Sequence, residues 1–126
     1  MKLRMRANSI RFRLGRSEVE TLMMAGRIAE TTHFLPTGDG LTYALESILG
    51  LTSLQVRYDE ACLTVQLPES TVREWAKTEQ VGIYENQSLG MRGGLQIIVE
   101  KDFACLDLSD ADNIDTFQNP NAGAVC

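Results

Sequence analysis

The chain repeats itself, and the repeat constrains its fold more than any composition does. Sliding residues 54–83 onto residues 1–30, an offset of 53, lays Met1, Leu3 and Met5 on Leu54, Val56 and Tyr58, and Arg4 on Arg57. Ile10, Phe12 and Leu14 fall on Leu63, Val65 and Leu67. Ser17 falls on Ser70, Val19 on Val72, Leu22 on Trp75 and Ile28 on Val81. With one further residue of slip, "LTYALES" at 41–47 meets "LQIIVEK" at 95–101, and Glu46 meets Glu100.

Each copy reads strand, strand, helix, strand, strand. Residues 2–6 and 9–14 alternate apolar and polar with period two, as do 54–58 and 62–67, the mark of hairpins with one buried face. "SEVE" at 17–20 announces the first helix, with Ser17 as cap and Glu20 reaching back as a capping box; Gly26 ends it. "PEST" at 68–71 announces the second, with Ser70 as cap and Val72, Trp75 and Ala76 as the buried stripe. Strands return at 28–34 and 81–85, and turn signals follow at "TGDG" (37–40) and "LGMRGG" (89–94). Leu41, Leu45, Ile48 and Leu49 have helical spacing, but their partner "LQIIVEK" is rich in β-branched residues, so both segments read as strands. The expectation is an α+β fold of eight strands and two helices, forming a curved antiparallel sheet or an eight-stranded barrel. One duplicated domain would span 1–106, with copies at 1–50 and 54–104, followed by an acidic tail at 107–126.

Charge is unevenly spread. Six of the 12 Lys and Arg lie between Lys2 and Arg16, although the formal net charge is -5. If Ala7-Asn8 is a two-residue turn, Met5 faces Ile10 and Leu3 faces Phe12 on one side of the ribbon, while Arg4 faces Arg11 and Lys2 faces Arg13 on the other. Like charges opposite one another destabilise a ladder, so something should offset them. An internal answer is Glu30, Glu46 and Glu100 on neighbouring strands, interleaved as ion pairs on a solvated face. An external answer is an anionic or phosphorylated ligand held by Lys2, Arg4, Arg11, Arg13 and Arg57, since the planar guanidinium bonds an anion through two parallel hydrogen bonds. The alternatives are an acidic protein partner, or the acidic tail itself laid along the ribbon.

Catalytic and metal signals are sparse. His33 is the single histidine, and Cys62, Cys105 and Cys126 show no metal-ligand spacing, so His33, Cys105 and Cys126 are weak metal candidates without a motif. "DADNID" at 110–115 lacks the Gly and Glu of a calcium loop, leaving Asp107, Asp110, Asp112 and Asp115 as a solvated tail that Phe117 could pin. No serine elbow, P-loop or dinucleotide fingerprint is present, so the reading leans away from an enzyme and calls for no cofactor. An acidic pI near 4.8 argues against nucleic-acid binding. No apolar run approaches the roughly 20 residues that cross a bilayer, and no leader is visible, which points to the cytoplasm. Nothing in the sequence sets an oligomeric state.

Two resemblances follow. A duplicated barrel with alternating Arg and Glu resembles the triphosphate-tunnel enzymes, which would imply a divergent metal-dependent phosphohydrolase using Glu30, Glu46 or Glu100. The nearest match to their Glu-x-Glu-x-Lys strand is "EVETL" at 18–22, which lacks the Lys and falls in a helix. Over nearly its whole length, and most clearly at "ANSIRFRLGRSEVE" (7–20) and "VEKDFACL" (99–106), the chain resembles a family of small bacterial proteins of unknown function. In the tail, "FQNP" carries Gln118 where that family has Pro. The family implies no activity, cofactor or catalytic residue.

Overall fold

A computed structural model describes residues 1–103 and 115–117. Alternating apolar residues close four antiparallel hairpins: β1 (Lys2–Arg6) with β2 (Ser9–Leu14), β3 (Arg27–Thr32) with β4 (Leu41–Ile48), β5 (Gln55–Asp59) with β6 (Cys62–Pro68), and β7 (Gly82–Ser88) with β8 (Gly94–Lys101). Helix α1 (Arg16–Ala25) lies between the first and second hairpins and helix α2 (Glu69–Lys77) between the third and fourth.

The hairpins do not form one antiparallel sheet, and no barrel closes. They combine in pairs into two four-stranded mixed sheets, ordered β1-β2-β8-β7 and β3-β4-β6-β5. The central strands β2 and β8 run parallel, as do β4 and β6. Parallel pairing sets two hairpins side by side and leaves an edge strand at each side of each sheet, which is what keeps both sheets open. Leu41–Ile48 is a strand, as its partner β8 suggested.

Two compact units result: Met1–Val19 with the chain from Val81 onward, and Glu20–Gln80. Each takes one hairpin from each predicted copy. In the first, Ile10, Phe12 and Leu14 on β2 and Ile97 and Val99 on β8 are buried on one sheet face. In the second, Val65 and Leu67 on β6 and Leu45 on β4 are fully buried, with Val72 and Trp75 of α2. Burying a side chain of this size contributes about 1.5–3 kcal/mol.

The helix starts differ from expectation. α1 begins two residues early, with Gly15 in the cap position: Glu18 Oε1 accepts from the Gly15 N–H at 2.8 Å, one half of a capping box in place of the one expected of Ser17 and Glu20. Ser17 instead bonds Asp115. Its backbone N–H donates to Asp115 Oδ1 at 3.0 Å and its hydroxyl to Oδ2 at 2.6 Å, while the Arg16 N–H donates to the Asp115 carbonyl at 2.8 Å. A Cβ at position 15 would lie 2.5 Å from that carbonyl, so only glycine leaves room for the contact. Phe117 completes the clasp. Its N–H donates to the Asp102 carbonyl at 2.7 Å, and its ring lies 5.3 Å from the Arg16 guanidinium and 5.4 Å from the Lys101 ammonium. At α2 the cap residue is Pro68 rather than Ser70, with no side-chain cap hydrogen bond.

Candidate functional site

Hairpin geometry assembles the basic face as the alternation predicted. Lys2 pairs with Arg13, Arg4 with Arg11 and Arg6 with Ser9 around the Ala7-Asn8 turn, where Ala7 carries the positive φ of 48°. The parallel ladder then places Gln96 beside Ser9 and Glu100 beside Arg13, and β7 sets Asn86 against Gln96. The exposed face of the first sheet therefore runs from a cationic edge to an uncharged amide edge.

The cations have different fates. Glu100 stands 3.5 Å from Arg11 Nε and 3.6 Å from Arg13 Nε, and it accepts from the Tyr84 hydroxyl at 3.2 Å. Burial, and then the Glu100 charge, raise the Tyr84 phenol above its ordinary value. Lys2 pairs with Asp102 at 2.8 Å. Arg4 and Arg6 have no carboxylate partner among the described residues. Among the described residues the internal answer to the like-charge ladder thus holds at one end of the ribbon, through Glu100, and not at the other, since Glu30 and Glu46 belong to the second unit.

A cleft opens where it fails. About 890 Å³ in volume, it is lined by Arg4, Arg6, Arg11, the turn Ala7-Asn8, Ser9, Asn86, Gly94 and Gln96, with no acidic and no aromatic side chain. The Asn8 amide donates to the Gly94 carbonyl at 2.7 Å and fixes the turn to the start of β8. Of the five predicted ligand residues, Arg4 and Arg11 line this cleft. Arg11 reaches the cleft while sharing Glu100 with Arg13, Lys2 and Arg13 are on the same face and paired with acids, and Arg57 belongs to the second unit. Arg6, Asn86 and Gln96 were missed. Arg6 was legible from the alternation, whereas Asn86 and Gln96 reach the site only through the parallel pairing of β2 with β8.

The second unit carries a counterpart cleft of about 880 Å³, lined by Thr31, His33, Asp39, Gly40, Thr42, Glu60 and Ala61. Here two acids and a histidine replace the arginines. Arg57 on its β5 is paired with Asp59 at 3.6 Å. The Thr31 and Thr42 hydroxyls bond each other at 2.7 Å.

Each predicted carboxylate has partners within its own unit, Glu100 in the first and Glu30 and Glu46 in the second. Glu46 accepts from Arg27 Nε at 3.2 Å and from the Gln66 amide at 3.0 Å, and Glu30 accepts from the Tyr43 hydroxyl at 3.1 Å. Among the described residues no three His, Cys, Asp or Glu side chains are grouped as a metal site would require, and His33 stands without such a set. Cys105 and Cys126 lie outside the described residues, as do Asp107, Asp110 and Asp112. The strands of the described residues do not close into a barrel, and the resemblance to triphosphate-tunnel enzymes loses its frame.

No helix among the described residues is long and apolar enough to cross a membrane. Two open mixed sheets, each with a cleft at a hairpin end, and two helices define a small α+β protein. Residues 1–121 match the model of a family of unknown function, DUF7009, and the chain belongs to that family. No curated protein and no solved structure matches the chain.

Proposed function

We propose that the chain is a non-enzymatic binding domain for a small anionic or phosphorylated ligand, taken into the first unit's cleft by Arg4, Arg6 and Arg11. One observation carries this reading. Arg4 and Arg6 line a cleft that has no acid in it and find no carboxylate among the described residues, although acids neutralise their neighbours Lys2 and Arg13. Guanidinium groups left with their hydrogen-bonding forks open suit a phosphate or carboxylate. A ligand at about 100 times its dissociation constant stabilises by about 2.7 kcal/mol, a readily measured rise in melting temperature. Phosphate and pyrophosphate at matched ionic strength should raise the melting temperature of the native chain and leave an Arg4→Ala/Arg6→Ala variant unmoved. Equal shifts in both proteins would refute the site.

A second reading, capture of an acidic protein, is favoured by β1 being an edge strand, whose free backbone groups could accept an added strand. An acidic peptide that binds while phosphate does not would select it. A reducing, cytoplasmic setting is part of either reading and agrees with the free thiol of Cys62.

Descent of the two halves from one duplicated β-β-α-β-β unit also belongs to this reading. The β1/β2 register reappears in β5/β6 at an offset of 53, with Lys2↔Arg13 answered by Gln55↔Gln66. Across the parallel ladders, Ser9↔Gln96 is answered by Cys62↔Thr42. Even the loop hydrogen bonds correspond: Gln96 N–H to the Asn8 carbonyl at 3.1 Å, and Thr42 N–H to the Ala61 carbonyl at 2.9 Å.

A further inference from the structure

The cleft has two unlike flanks, and the second flank says what kind of anion belongs there. Arg4, Arg6 and Arg11 occupy β1 and β2; the opposite side, on β8 and β7, presents Gln96 and Asn86. Neighbouring strands lie about 4.8 Å apart, so some 10 Å separates the Arg11 strand from the Asn86 strand. A ligand filling that width carries its charge at one end and neutral polar groups at the other.

The amide flank is left open. Ser9 Oγ donates to Gln96 Oε1 at 3.3 Å, and the Gln96 side-chain N–H groups have no partner among the described residues. The Asn86 carboxamide, with donor and acceptor both, has no partner among the described residues. At the same places in the second unit the pair is Thr31 and Thr42, which satisfy one another at 2.7 Å. The first unit has longer carboxamides there and does not close them on each other.

From this we infer that the ligand is the phosphate monoester of a polyhydroxylated compound, a sugar phosphate, with its phosphate on Arg4, Arg6 and Arg11 and its hydroxyls on Asn86 and Gln96. The inference rests on the anion-site reading above. Carboxamides match sugar hydroxyls because each hydroxyl both donates and accepts, as an amide does. A nucleotide is a poorer fit, since no aromatic side chain lines the cleft to stack a base. A long polyphosphate is a poorer fit too, since cations line only one flank.

Calorimetric titration of the full chain with inorganic phosphate, pyrophosphate, glucose 6-phosphate, unphosphorylated glucose and AMP, at one ionic strength, tests it. Glucose 6-phosphate should bind about tenfold more tightly than inorganic phosphate, the gain of one or two net hydrogen bonds. An Asn86→Ala/Gln96→Ala variant should lose most of that margin. Both side chains are exposed, and an unchanged melting temperature without ligand would show the variant folded. Equal affinity for phosphate and glucose 6-phosphate, tighter binding of pyrophosphate or AMP, or a preference that survives the variant would overturn the sugar-phosphate assignment while leaving the anion site standing. Binding of no anion at all would sink both.

Discussion

Arg4 and Arg57 stand at the same place in two sheets of the same register, and their neighbours decide what each can do. Two residues along β5, Arg57 meets Asp59 at 3.6 Å; two residues along β1, the corresponding residue is Arg6. One cross-strand step away, Arg11 in the first sheet corresponds to Thr64 in the second. The clefts at the two hairpin ends are alike in size, yet arginines line the first and acids the second. A shared backbone can therefore present opposite charge through a few substitutions at the hairpin tip, with the buried faces kept apolar. Glu46 and Glu100, by contrast, occupy corresponding positions and both bind the neighbouring central strand, through Gln66 in one sheet and Arg13 in the other. That carboxylate belongs to the common frame, and the arginines beside the first cleft are what differ.

The largest effects should come from the frame. Phe12 and Val65 share a position and are both fully buried. Phe12→Ala should cost about 3–5 kcal/mol and Val65→Ala less, in proportion to the volume removed. Chemical denaturation measures both, and equal losses would break the correspondence.

Next comes the shared carboxylate. Glu100→Gln strips Arg11 and Arg13 of their common partner and should cost about 1 kcal/mol, both arginines being partly exposed. Glu46→Gln should cost less, since its cationic partner Arg27 is half exposed. Freed of Glu100, Arg11 should also bind anions better, so this variant is expected to lose stability while gaining phosphate affinity.

The helix starts give a smaller contrast. Asp115→Asn should cost about 1 kcal/mol at neutral pH, and α2, with no side-chain cap, has nothing to lose in the same way. Hydrogen bonds from the Ser17 hydroxyl and N–H hold the Asp115 carboxyl below its ordinary value of 3.8. A depressed folded value means the carboxylate's contribution is complete above pH 4 or so and is lost as pH falls through the folded value. The gap between the native chain and Asp115→Asn should narrow under acid and stay flat from pH 5 to 8, as thermal melts would record. A gap that widened under acid would contradict the clasp.

Smallest is the turn. Glu60 and Ala61 both hold positive φ, 49° and 56°, a two-residue turn that favours Asn-Gly, whereas the Ala7-Asn8 turn has one such residue. Ala61→Gly should stabilise by about 0.5–1 kcal/mol, because glycine takes that conformation without steric cost.

How much of this was legible depended on the range of the interaction. The hairpin register was plain, because the alternation of Leu3, Met5, Ile10 and Phe12 with Lys2, Arg4, Arg11 and Arg13 fixes both partner and face. The partner hairpin was not, since no local pattern says that Ser9 will lie beside Gln96, 87 residues away. For that reason the barrel expectation failed and Asn86 and Gln96 went unseen. Ser17 was misread as a cap because the group that bonds it, Asp115, comes from the far end of the chain. Gly15, where a Cβ would lie 2.5 Å from the Asp115 carbonyl, was the local sign of that approach.

The central claim is that the first cleft binds an anion and its counterpart does not. The most direct measurement is a two-dimensional amide NMR titration of the full chain with inorganic phosphate at constant ionic strength. Saturable shifts are expected at Arg4, Arg6, Asn8 and Gln96, with Arg57, Asp59, Ala61 and Thr42 unmoved. Equal movement at both sets, or none at the first, would contradict the claim.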